Sequence, residues 1–190
     1  MNTIRTFIAV EIDPSNKQKI SEVIAQLKRA DSDIKWINES QMHLTLKFLG
    51  NIEKSSVQKI SDIIKPIADS FNAFMIQFSQ IGAFPNMRHP RVIWLGIDKG
   101  SESLKLLNKE IETGLEKNGF QKEGREYKAH LTLGRVKSLK NIQEAMRLLS
   151  EISFEPQSEI KITRLVLFQS TLTPKGAIYT PLAEFPLQLQ

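Results

Sequence analysis

Cysteine is absent from this chain of 190 residues, and histidine occurs only three times. The first absence removes disulfides, thiolate nucleophiles and thiolate-bound metal centres. The second concentrates any proton transfer near neutral pH on very few side chains. No run of ~18 apolar residues is available to form a membrane-spanning helix. The opening Met1-Asn2-Thr3-Ile4-Arg5 also lacks the basic, apolar, small-residue order of a secretory signal. A soluble, cytoplasmic protein is the expectation. What the chain does have is 41% hydrophobic residues, enough for a sizeable core, and a formal charge of +5 from 26 basic and 21 acidic residues. That balance favours an anionic partner without the clustered excess of a nucleic-acid coat protein.

The apolar pattern alternates between strand and helix periods. Ile4 to Ile12 reads as a buried strand, after which Asp13-Pro14 offers a helix cap and a proline at the first helical position. Ile20, Val23, Ile24 and Leu27 recur on one helical face, so this helix runs to about Arg29. A strand from His43 to Leu49 follows, then a helix carrying Val57, Ile60, Ile64 and Ile67, then a strand from about Ala73 with Phe74, Ile76 and Phe78 on one side. Beyond a polar loop, Pro85 to Pro90, the order repeats. It gives strand Arg91 to Ile97, helix Ser101 to Asn118 closed by Gly119, strand Ala129 to Val136, and a helix with Ile142, Ala145, Met146 and Leu149. Strands Ile160 to Phe168 and Ala177 to Leu187 enclose a turn at Thr173-Pro174-Lys175-Gly176.

Ile97-Asp98 follows Ile12-Asp13 by 85 positions, and His130 follows His43 by 87. The chain therefore reads as a diverged internal duplication. Its two strand-helix-strand units are expected to pack as two lobes, helices outside and sheets inward, with a cleft between them. No flexible or low-complexity tract separates the halves, so residues 1–190 are taken as a single domain of two similar lobes.

His43-Leu44-Thr45-Leu46 and His130-Leu131-Thr132-Leu133 are the same tetrad at matching places in the repeat. Strand alternation sends Leu44, Leu46 and Phe48 to one face and His43, Thr45 and Lys47 to the other, and the second tetrad has the same parity. Residues two apart on a strand lie roughly 6.6 Å from each other, so an imidazole and a hydroxyl can flank one phosphate. Opening a cyclic phosphodiester requires a base for water and an acid for the departing oxygen, and imidazole suits both tasks. Threonine hydroxyls can hold the non-bridging oxygens. A single strand histidine is ordinarily a packed or solvated residue; its repetition in an identical setting is what favours chemistry. The third histidine, His89, reads as solvated in its loop, where Arg88 and Arg91 are candidates for an RNA phosphate contact against the simpler reading of solvated surface.

At this point the residues resemble a known family, the RNA 2′,3′-cyclic phosphodiesterases once called 2′-5′ RNA ligases, within the 2H phosphoesterases. Arg5-Thr6-Phe7-Ile8-Ala9-Val10 is similar to the family's opening strand, and His43 through Gly50 to its first signature. Phe84-Pro85 through Gly96 resembles the middle segment, His130 to Arg135 the second signature, and Ser170-Thr171-Leu172 with Gly176-Ala177-Ile178-Tyr179 the tail. The resemblance implies a bilobed α+β fold: two antiparallel-sheet lobes, outer helices and a central cleft. It implies hydrolysis of RNA 2′,3′-cyclic phosphate ends to 2′-phosphomonoesters, without metal or nucleotide cofactor, with His43 as proton donor and His130 as proton acceptor. It also puts Arg135, with Thr45 and Thr132, on the phosphate. Simple alternation places Arg135 on the face opposite His130, so that role requires a twist or bulge, which Gly134 would permit.

Competing readings differ in what they need. A metallohydrolase wants three or more converging ligands, and neither tetrad brings a carboxylate at ligand spacing. A non-catalytic RNA-binding module would not need both histidines. A 2′-5′ RNA ligase acting on tRNA halves shares the acid and base. The expected partner is RNA ending in a cyclic phosphate, with no membrane and no obligate protein partner, the enzyme acting as a monomer.

Overall fold

Each apolar run settles into its element for a local reason in the computed structural model, which describes residues 2–152, 159–174 and 176–189. The order is β1 (Thr3–Glu11), α1 (Pro14–Leu27), β2 (Ile34–Trp36), β3 (His43–Glu53), α2 (Ser56–Asp69), β4 (Phe74–Ile76), β5 (Phe78–Phe84), β6 (Val92–Ile97), α3 (Ser101–Lys117), β7 (His130–Val136), α4 (Ile142–Glu151), β8 (Ile160–Ile162), β9 (Arg164–Thr173) and β10 (Gly176–Pro186). Asp13, in extended conformation, accepts a hydrogen bond from the Asn16 amide at 3.0 Å, and Pro14 occupies the first turn, where its missing N–H costs nothing. The helix then buries Ile20, Ile24 and Leu27. Gly119 sits at φ +88 just beyond α3, the left-handed position in which glycine ends a helix.

Several expected elements are divided or new. The strand predicted from Ala73 splits into β4 and β5, which belong to different sheets. The stretch Ile160 to Phe168 likewise splits into β8 and β9, and β2 is additional. In the turn predicted at Thr173-Pro174-Lys175-Gly176, Lys175 lies outside the described residues; Thr173 Oγ1 donates to the Gly176 carbonyl at 2.7 Å.

Two four-stranded antiparallel sheets form, ordered β10-β9-β1-β3 and β2-β7-β6-β5, and β4 pairs with β8 in a small third sheet. The lobes do not coincide with the halves of the sequence. The sheet of β1 and β3 is completed by β9 and β10 from the far end of the chain, whereas the sheet of β6 and β7 takes β5 and β2 from the first half. Helices are shared in the same way: α3 packs beside β3, and α2 and α3 lie together, as do α1 and α4. Their buried faces join one apolar cluster running through both halves, from Ile8 and Leu44 to Leu131 and Leu167. Truncating a fully buried leucine of this cluster to alanine is worth about 2–5 kcal/mol.

The exchange makes each half an incomplete structure with an open sheet edge. Residues 1–98 expressed alone are expected to show no cooperative thermal transition by circular dichroism, whereas the whole chain melts in one. Cooperative melting of that fragment would mean that the halves fold independently.

Candidate active site

The two tetrads occupy corresponding strands of the two sheets. His43, Thr45, His130 and Thr132 are all half-buried, while Leu44, Leu46, Leu131 and Leu133 are buried in the core. The two strands approach each other, and their polar residues line one cavity of about 460 Å³ together with Arg135 and Tyr179. A space of that size accommodates a nucleotide-sized ligand.

The alternation rule fails after the fourth residue of each tetrad, in the same manner. In β3, Ala9 faces Thr45 but Ile8 faces Lys47, so Leu46 is an extra residue in the ladder. In β7, Trp94 faces Thr132 but Ile93 faces Gly134, which makes Leu133 the extra one. A bulge reverses the parity of the residues that follow it, in β3 as far as a second extra residue, Leu49. Leu133 and Gly134 are thus both buried, and Arg135 turns outward on the face of His130. The bulge supplies the reversal that a phosphate role for Arg135 would require. Gly134 serves a different need: a Cβ there would meet Ile34 Cγ2 and Trp36 Cε3 at 2.8 Å, so glycine is what lets β2 pack beside β7.

In β3 the same reversal overturns two expectations. Phe48 stands on the cleft side and is 55% exposed, with its ring 6.0 Å from that of Phe7. Lys47 leaves the histidine face and is buried, its Nζ 2.8 Å from Glu112 Oε2. The carbonyl of each bulged leucine finds a donor from the other half: Asn108 Nδ2 donates to Leu46 O at 2.8 Å, and the Ile37 amide to Leu133 O at 2.9 Å.

Each imidazole is anchored by the carbonyl two residues before it. His130 Nδ1 lies 2.6 Å from Lys128 O, so Nδ1 carries the hydrogen and Nε2 is free for chemistry. His43 makes the matching bond to the Gln41 carbonyl. Aromatic rings bed both: Phe7 and Tyr179 lie 4.6 and 4.9 Å from His43, and Phe84 lies 5.1 Å from His130, edge-on. All three fall in segments that carry the family resemblance, but nothing in the sequence places their rings beside the histidines. The loop with Arg88, His89 and Arg91 stays apart. These residues are exposed and do not line the cavity, and Asn86 Oδ1 accepts from the Arg88 and His89 amides at 3.0 Å. Among the described residues no group of three His, Asp or Glu side chains is disposed to hold a metal ion, and no helix is long and apolar enough to cross a membrane.

The model of the LigT-like phosphoesterase family matches the chain twice, over residues 10–94 and 95–179. The chain belongs to that family. The two matches are offset by the same 85 positions that relate Ile12 to Ile97. Proteins named RNA 2′,3′-cyclic phosphodiesterase from Methanothermobacter thermautotrophicus and Archaeoglobus fulgidus are 32% and 36% identical to this LigT-like chain. The alignments cover 97% and 96% of it and 99% of each relative. Escherichia coli LigT in apo form superposes with a TM-score of 0.78 at 20% identity over 99% of both chains, a similarity of fold. A crystal structure of the same protein holds 3′-AMP.

Electrostatics set the resting state of this LigT-like site. Burial pulls the His43 imidazole down to about 4, outweighing its hydrogen bond to Gln41, and the charge of Lys17 acts in the same direction. Burial also lowers His130, against its bond to Lys128 and with the help of the Arg135 charge. At neutral pH the cleft therefore holds two neutral imidazoles beside an arginine, and a bound anion would favour their protonated forms. Because unfolded histidine titrates near 6.5, the native state binds fewer protons between about pH 4 and 6.5, and His43 makes stability fall as pH falls through that window. An NMR titration of the free protein is expected to give His43 a midpoint near 4, moving upward in saturating inorganic phosphate. A midpoint of 6.5 or higher in phosphate-free buffer would contradict this account of the site.

Proposed function

We propose that the protein hydrolyses 2′,3′-cyclic phosphate ends of RNA to 2′-phosphomonoesters, with His43 as proton donor and His130 as proton acceptor. The observation that carries this reading is the convergence of two carbonyl-anchored imidazoles, each with its threonine, on one cavity from opposite sheets. Water, deprotonated by the free Nε2 of His130, attacks phosphorus. The P–O3′ bond breaks as His43 delivers its proton to the departing 3′ oxygen, and the phosphate remains on O2′. The Arg135 charge favours the neutral, basic form of His130. Thr45, Thr132 and Arg135 bind the non-bridging oxygens, where negative charge must be held during transfer.

His43 accepts its proton only when the phosphate is in place, since the anion offsets the burial that depresses it. Substrate binding and charging of the acid are then one event. The relatives' name, RNA 2′,3′-cyclic phosphodiesterase, supports hydrolysis over joining of RNA ends, which is the reverse kind of transfer with the same pair. One chain contributes both histidines, so a monomer suffices, and action on RNA is consistent with the expected cytoplasmic location. No step of this scheme calls for a metal or nucleotide cofactor.

The test is turnover of a 2′,3′-cyclic mononucleotide in EDTA, with identification of the phosphomonoester. Turnover is expected to persist; loss on chelation that a divalent ion restores would overturn the scheme. His43→Ala and His130→Ala should each lose ~10²–10⁴-fold in kcat while remaining folded. The double variant should lose far less than the product of the two, because either loss already ends concerted transfer. Arg135→Ala, Thr45→Ala and Thr132→Ala should cost less. The pH profile carries a sign as well. The acid must be protonated and is depressed in the free enzyme, so kcat/KM should peak below pH 6.5, whereas kcat, reporting the phosphate-bound state, should peak at higher pH. Coincident profiles would remove the role assigned to the bound anion, and a folded single-histidine variant with near wild-type turnover would require another base.

A further inference from the structure

The bulge that brings Arg135 onto the histidine face of β7 turns Lys47 inward in β3, where it is buried with Glu112 in the wall of the same cavity, and nothing in the phosphodiesterase scheme uses this lysine. Its side chain is 3% exposed and that of Glu112, on α3, is 9% exposed. Replacing such a pair with apolar residues of similar volume is often neutral or stabilising, so stability alone is a weak reason for its presence.

Both partners also bind the same stretch of backbone. Lys47 Nζ donates to the Gln121 carbonyl at 2.8 Å, and the Glu123 amide donates to Glu112 Oε2 at 3.2 Å. That stretch needs anchoring. Residues 121–129 contain no helix or strand and, among the described residues, form no backbone–backbone hydrogen bond of their own. They nevertheless end at Lys128, whose carbonyl fixes the ring of His130, and Arg125, Tyr127 and Lys128 form a wall of the cavity. Four residues beyond His43, then, a buried charge holds the segment that orients the second histidine. Asn108, one turn before Glu112, grips the same bulge through Leu46 O, so α3 holds both the strand and the loop.

We propose that Lys47 and Glu112 are positioning residues: their ion pair fixes the 121–128 loop and thereby the tautomer and direction of the His130 imidazole. The pair touches no reacting atom. The proposal rests on the two-histidine reading for its effect on rate, but its structural content concerns His130 alone and is read independently of turnover.

The decisive variant is Lys47→Met combined with Glu112→Leu. It fills the same space without charge and deletes both bonds to the loop. Retained fold is checked by thermal melting. The expected result is a kcat lower by on the order of tenfold to a hundredfold with KM changed much less, because a slightly misdirected base still permits binding. In 15N spectra the His130 ring, held as the Nδ1–H form in the wild type, should become a mixture of tautomers, and amides of 121–128 should exchange faster with solvent. A folded double variant with wild-type kcat and an unchanged His130 spectrum would overturn the proposal and leave the pair a purely structural one. Should that protein fail to fold, Glu123→Pro removes the amide donor at an exposed position and leaves the ion pair intact. It is expected to produce the same spectral change in milder form, and an unaltered His130 spectrum there counts against the proposal equally. If the His130 spectrum moves while His130→Ala retains full turnover, it is the catalytic assignment that fails and not the staple.

Discussion

A β-strand offers only every second side chain to a given face, and the site depends on departing from that rule at the end of each tetrad. Leu46 and Leu133 are the extra residues, each the fourth of its tetrad. Up to that point the strand delivers imidazole and hydroxyl to the cleft and leucine to the core; in the two residues after it the assignment is reversed. One local irregularity, made twice, sets the destinations of four side chains: Arg135 and Phe48 to the cleft, Gly134 and Lys47 to the interior. The carbonyls freed by the irregularity are bonded by Asn108 and by the Ile37 amide, so each half stabilises the other's departure from regular pairing.

The halves share this geometry without sharing chemistry. Arg135 stands where the first copy has Phe48, and Gly134 where it has Lys47. The second copy therefore carries the cation nearest its histidine and admits β2 at its edge, while the first buries its cation against α3. The neutral state of both rings follows from shared causes, burial and the absence of a carboxylate among the groups that shift them. In the proposed reaction the substrate's phosphate supplies the opposing charge.

Much of this was legible in the sequence because period and repetition survive duplication. The tetrads, the helices at Ile20–Leu27 and Val57–Ile67, and the offset of 85 could be read from spacing alone. The bulges could not, since Leu46 and Leu133 are ordinary strand residues and nothing marks them as extra. The parity drawn for Phe48 and Lys47 was wrong for that reason. Arg135 stood against the same rule and was carried by resemblance only. Strand β2 escaped because Ile34-Lys35-Trp36 is too short to display alternation, and its pairing with β7 is non-local. The rings of Phe7 and Phe84 went unnoticed as neighbours of the histidines because any core aromatic looks the same in one dimension.

The exchange of strands between the halves bears on how the protein is made. Strand β1 lies between β3 and β9 in its sheet, so it leaves the ribosome long before one of its two neighbours exists. During that interval its outer edge presents unpaired amides and carbonyls, the kind of surface on which nascent chains aggregate. The bed of the first histidine is equally delayed: Phe7 is among the earliest residues translated, and Tyr179 among the last. A shortened translation product that retains both tetrads would keep Phe7 but lack Tyr179 beside His43, so this architecture withholds a finished site until synthesis has reached β10.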